Sequence, residues 1–125
     1  MAMLVALAIA IGACGNREVA APVTDDPQVQ AGYGLIVERS CTNCHSVDGS
    51  SAAGPTWQGL NGRTVTLIDG RTLTVDDAYL ARALLDPDAD VREGYAKGTM
   101  SSFLRSQDPL TTEQVDQMVA YLKTL

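Results

Sequence analysis

Apolar and polar positions alternate with different periods along the chain, and each period predicts an element. Val29, Gly32, Tyr33 and Ile36 recur at helical spacing, which predicts an amphipathic helix from about Pro27 to Arg39. Pro27 suits its first turn. Gly32 in its interior costs about 1 kcal/mol against Ala, so it is either incidental or allows close helix contact. Thr64 to Leu67 and Thr72 to Val75 alternate polar and apolar residues on either side of Ile68-Asp69-Gly70-Arg71, a hairpin signal centred on Asp-Gly. Thr74 is placed to cap a following helix, with Asp76 and Asp77 in its first turn. Leu80, Ala83 and Leu84 form that helix's apolar stripe, and it stops near Asp86, before Pro87. Thr111 and Gln114 spell a capping box, and Val115, Met118, Val119 and Leu122 share one face of the last helix.

The segments between lack such periods. Ser46 to Gly54 is a loop rich in Ser, Ala and Gly, and Pro55 to Arg63 continues irregularly. Asp86, Asp88, Asp90 and Glu93 read as a solvated acidic loop. Gly98 to Phe103 reads as irregular. At the other end, Met1 to Ala13 is almost wholly apolar but shorter than the roughly 17 residues a membrane-spanning helix needs. It reads as a signal-peptide core ending in Ile11-Gly12-Ala13-Cys14, which resembles a bacterial lipobox; the first basic residue is Arg17. Ordinary signal cleavage or a trimmed membrane anchor are the alternatives. Residues 14–27 then read as an anchor cysteine, Cys14, and a flexible linker, followed by one domain over 28–125.

Composition changes this picture in two ways. Aromatic residues make up only 5% of the 125 residues, with one Trp and one Phe. A core so poor in large rings is marginal for its size unless something else fills it. The formal charge of −6, with no basic patch, argues against nucleic acid as a partner.

The filler is announced by Cys41-Thr42-Asn43-Cys44-His45, the C-x-x-C-H pattern of c-type haem attachment. Two thiols must add to two vinyl groups on one edge of a porphyrin, and two intervening residues let one helical turn present both. The adjacent His then reaches the iron as a ligand. A zinc site would need further donors, and the chain has no second His. A thioredoxin-like redox pair would follow a strand in a βαβ unit, whereas this motif follows a helical pattern.

With these residues in hand, the chain resembles the class I cytochromes c over about Asp26 to Leu125. The run Gly54-Pro55-Thr56-Trp57-Gln58-Gly59-Leu60 followed by a Thr-rich hairpin is similar to the cytochrome c domain fused to subunit II of some haem-copper oxidases. The resemblance implies a mostly α fold, helices wrapped around one covalently bound haem c, with a short β-hairpin insertion. It implies that Gly32 meets Tyr121 where the first and last helices cross, with Ile36 standing where the family has an aromatic. It implies that the carbonyl of Pro55 orients His45, and that Arg63 pairs with a haem propionate, unless the hairpin shifts it into solvent. Trp57 is expected to pack the haem pocket. Met100 is the implied second iron ligand, with Ser101 in place of the family's usual Pro. Met118 belongs to a helix face, and Met1 and Met3 to the leader.

The implied function is single-electron transfer between protein redox partners, not enzymatic turnover. It places a lipid-anchored monomer on the periplasmic side of a bacterial membrane, with Ala52, Ala53 and Gly54 rimming the haem edge. An electron-entry domain docked on a terminal oxidase or reductase is the alternative. An open-site haem enzyme or sensor would want a distal acid–base residue, and His45 is the only His.

Overall fold

The first and last helices set the architecture. In the computed structural model, which describes residues 19–125, α1 (Pro27–Glu38) packs against α4 (Thr112–Leu122). Asp26 caps α1 by accepting from the Gln28 amide at 2.9 Å, and Pro27 fills the first turn, where its missing N–H costs nothing. In α4 the Gln114 amide donates to Thr111 Oγ1, and the Thr111 amide donates to Gln114 Oε1, completing the capping box. Val29, Gly32 and Ile36 on α1 meet a buried face of Val115, Met118, Val119, Tyr121 and Leu122 on α4.

Gly32 is not incidental. A Cβ there would overlap the Gln117 carbonyl of α4 and lie 2.9 Å from Tyr121 Cβ. Only a hydrogen fits, so the helix-propensity cost buys backbone-to-backbone approach. A Cβ at Gly34, two residues on, would meet nothing. The Tyr33 and Tyr121 rings lie 5.6 Å apart beside the crossing.

Part of the expected linker lies against the domain. Tyr33 donates to the Val19 carbonyl at 3.0 Å, and Gln30 Nε2 donates to the carbonyls of Pro22 and Thr24. Val19 is buried. Residues 19–26 carry no periodicity because their carbonyls, rather than a row of side chains, make the attachment. Met1 to Ala13 and Cys14 lie outside the described residues.

The hairpin forms as expected, with β1 (Thr64–Thr66) antiparallel to β2 (Thr72–Thr74) and Val65 opposite Leu73. Gly70 takes φ 84° in the turn, a left-handed value that favours glycine. Thr74 stays in β2, paired with Thr64, and so does not cap the next helix. Asp76 does, accepting from the Tyr79 amide at 2.8 Å, and α2 runs Asp77–Leu85.

The acidic loop departs furthest from expectation. Leu67 bridges Arg92, the Ile68 amide donates to the Val91 carbonyl, and the Glu93 amide donates to the Thr66 carbonyl. The loop is thereby stitched to the hairpin as a partial third strand. The Asp90 side chain is only 7% exposed, and it accepts from Arg82 Nε at 2.7 Å and Arg71 Nη2 at 3.3 Å. Asp88 accepts from the Gly98 amide and the Ser101 hydroxyl, each at 2.8 Å. These carboxylates tie elements together rather than coat a surface. Their support explains a further difference: Thr99–Arg105 is a helix, α3, where an irregular stretch was expected. Its 7 residues are too few to show a period.

Candidate haem site

The helical spacing that ends α1 delivers the chain to the cysteine motif. Ser40 turns left-handed at φ 56°, and Cys41–Asn43 forms a single 3-10 turn. The amides of Cys44 and His45 both donate to the Cys41 carbonyl, at 3.2 and 3.1 Å. The compact turn places Cys41, Cys44 and His45 on the wall of one cavity of about 320 Å³. Ile36, Leu80, Leu84 and Phe103 supply apolar lining, and Met100 on α3 joins it. Cys41 and Cys44 are not joined in a disulfide. Burial pushes the Cys41 thiol up to about 11, against the pull of the Arg39 charge.

His45 is held on three sides. Its Nδ1 lies 2.8 Å from the Pro55 carbonyl oxygen. A carbonyl only accepts, so Nδ1 carries the proton and Nε2 keeps its lone pair for a metal. Trp57 stacks on the imidazole, with ring centroids 4.6 Å apart and planes 15° from parallel. Gly54 closes the remaining side: a Cβ there would lie 2.6 Å from His45 Cε1. Burial lowers the His45 pKa, opposed by the Pro55 carbonyl. A neutral imidazole is the form that ligates a metal.

The loop that carries these groups is itself tied down. The Gly54 amide donates to the Cys44 carbonyl, and the Trp57 amide and Thr56 hydroxyl both donate to the Ser46 carbonyl. Ser46, buried, donates its hydroxyl to the Ser50 carbonyl at 2.6 Å. Ala52, Ala53 and Gly54 line the cavity, and Ala53 is exposed.

Arg63 does not join the site. It is exposed, stands outside the cavity lining, and donates through Nη2 to the Gln58 carbonyl at 2.7 Å. Arg92 lines the cavity instead. Among the described residues no group of His, Cys, Asp and Glu side chains gathers to hold a bare metal ion, which leaves the zinc alternative without its remaining donors. The thioredoxin alternative fails on topology, since the motif follows α1 and the strands form only a two-stranded antiparallel sheet.

The residues present fit haem. Two thiols and an imidazole with a free Nε2 share one apolar cavity, and a thioether sulfur is in the same wall. The cytochrome c family model matches residues 29–125. The chain belongs to the cytochrome c family. Among curated proteins, none matches it closely enough to serve as a relative. Membership makes covalently bound haem c its cofactor, with Cys41 and Cys44 in the attachment motif, and makes it an electron carrier rather than an enzyme. Cytochrome c domains are extracytoplasmic. Among the described residues no helix is long and apolar enough to cross a membrane.

Trp57 lines the pocket as expected, and the structure adds its stack on His45. Two further parts of this cytochrome's site escape a reading of its motif. The Gly54 approach is hidden because a Gly-Pro pair also spells an ordinary turn. Arg92 carries no sequence signal, since it is brought in by pairing with Leu67, far away along the chain.

Proposed function

We propose that this cytochrome c shuttles single electrons between respiratory or periplasmic protein partners, with His45 and Met100 as the two axial ligands. The observation that supports it best is that His45 and Met100 line the same apolar cavity as Cys41 and Cys44. Bound there, the haem iron supplies a one-electron couple, and a Met ligand favours a high potential. The protein's part is to keep both ligands in place as the charge changes. Pro55, Trp57 and Gly54 immobilise the imidazole, while Asp88 braces the first turn of α3, which carries Met100. With both axial positions filled, no site is left for oxygen. Electrons pass at the rim of Ala52, Ala53 and Gly54, through brief encounters with partner proteins.

Met100→Ala tests the ligand pair. The purified variant should keep its haem through acid–acetone extraction, lose the weak far-red sulfur-to-iron absorption of the ferric form, and bind carbon monoxide when reduced. Retention of the far-red band, with its loss in Met118→Ala, would move the ligand to Met118.

We also propose that Cys14 carries lipid and anchors the domain on the periplasmic side of a bacterial membrane, on the strength of Ile11-Gly12-Ala13-Cys14 after the apolar run. Stable anchoring takes two acyl chains or more. Cys14→Ser should release the holoprotein from membranes into the soluble fraction; equal retention would overturn the anchor.

A further inference from the structure

Among the described residues two buried side-chain polar atoms have no hydrogen-bond partner: the Tyr121 hydroxyl and Arg92 Nη1. A phenol without a partner is a modest loss. A guanidinium nitrogen is part of a permanent charge, and burying it unpaired is far more costly. Arg92 is nonetheless held firmly. Its backbone pairs with Leu67, the Val91 carbonyl accepts from the Ile68 amide, the Glu93 amide donates to the Thr66 carbonyl, and the Tyr95 amide donates to the Arg92 carbonyl. Arg92 also lines the cavity that holds His45 and Met100.

Among the described residues no carboxylate is paired with that charge. Asp90 already serves Arg71 and Arg82. Asp88, also in the cavity lining, is taken by the Gly98 amide and the Ser101 hydroxyl. The other ionisable groups on this side are Tyr79 on α2, whose pKa burial raises, and Tyr95, whose ring centroid lies 6.0 Å from the Arg92 guanidinium carbon. Neither is a carboxylate. The cavity therefore presents an unanswered cation to its occupant.

We infer that Arg92, set by the hairpin, is the residue that pairs with a haem propionate in this cytochrome, in place of Arg63. The inference rests on the haem reading of the cavity. A planar fork of N–H donors suits a carboxylate, and the pair is strongest where water is scarce. The hairpin then has a purpose beyond surface decoration. It carries the partial strand that aims Arg92 inward, while Arg63, just ahead of β1, turns out to the Gln58 carbonyl.

The test uses purified holoprotein and follows the reduction potential against pH. A propionate beside a cation ionises at lower pH, typically by about one to three units. In Arg92→Leu the pH at which the potential starts to fall should move up by about one unit or more, a tenfold or larger change in proton affinity. Arg63→Leu should leave it in place. If Arg92→Leu yields no holoprotein, Arg92→Gln, which keeps a donor without the charge, must show the same upward move. A profile that shifts in Arg63→Leu and not in the Arg92 variants overturns the assignment, as does a profile that moves in neither. Wild-type protein that loses its haem to acid–acetone would overturn the haem reading itself, so the two failures are distinct.

Discussion

The two walls of the haem cavity are built on different plans. The wall around His45 is local: Cys41, Cys44, Gly54, Pro55 and Trp57 all lie within a short run of chain, and backbone carbonyls do most of the holding. The wall around Met100 is assembled from afar. Asp88 braces α3, Asp90 gathers Arg71 and Arg82, and Leu67 pairs with Arg92. Neutral carbonyl contacts and steric fit hold the first wall; charged side chains hold the second. The first should be the less tolerant of added volume, and the second should lean on its carboxylates.

The sharpest way to break the first wall is volume. Gly54→Ala puts a methyl against the imidazole, where no flexible chain end can give way. We expect it to destabilise the holoprotein by about 2 kcal/mol and to perturb the ferric spectrum, as overpacking does. Thermal unfolding and near-infrared absorption check both. A stable Gly54→Ala protein with an unchanged spectrum would mean that the local wall is looser than its geometry implies.

Acid should loosen the second wall through Asp88, with a smaller effect. The Gly98 amide and the Ser101 hydroxyl hold the Asp88 carboxyl below its ordinary value. A depressed folded-state pKa adds stability that is present above the unfolded value of about 3.9 and is lost as pH falls through the folded one. Below about pH 4, amide exchange in α3 should therefore quicken. Asp88→Asn should show the same loosening already at neutral pH. Undiminished protection of α3 in acid would remove Asp88 from the second wall's support.

Arg63→Gln should do least. It removes one exposed hydrogen bond to the Gln58 carbonyl, and stability should stay within about 0.5 kcal/mol of the parent. A larger loss in a denaturant titration would bring Arg63 back toward the site.

The same division decides what a reader of the sequence can see. Whereas the Pro55 carbonyl is implied by the family resemblance, the Cys41–His45 motif, the hairpin around Asp69 and Gly70, and the Thr111 box each depend on residues a few positions apart. Their chemistry is written in spacing, and the structure holds them where spacing puts them. Asp90 shows the opposite case. In sequence it is one acid among several, and only the fold brings it between Arg71 and Arg82. Thr74 was a plausible cap until pairing with Thr64 claimed it. Arg63 and Arg92 differ for the same reason: each is an isolated Arg, and the hairpin between them chooses which faces inward.

The crossing of α1 and α4 has a consequence for how the chain reaches this state. The two helices lie at opposite ends of the domain, so their contact must close a loop on the order of 70 residues, at an entropic cost of about 4 kcal/mol beyond a constant. No shorter piece of the chain contains that contact, because Ile36 and Val29 lack their partners until Val115 to Leu122 have been made. Folding should therefore be slow to begin and late to finish. Were Met100 to ligate the iron as proposed, the arithmetic would change. The remaining loop to α4 would be only on the order of 10 residues, with a closure cost of about 2 kcal/mol. The cofactor would then act as a staging post, splitting one long search into two shorter ones.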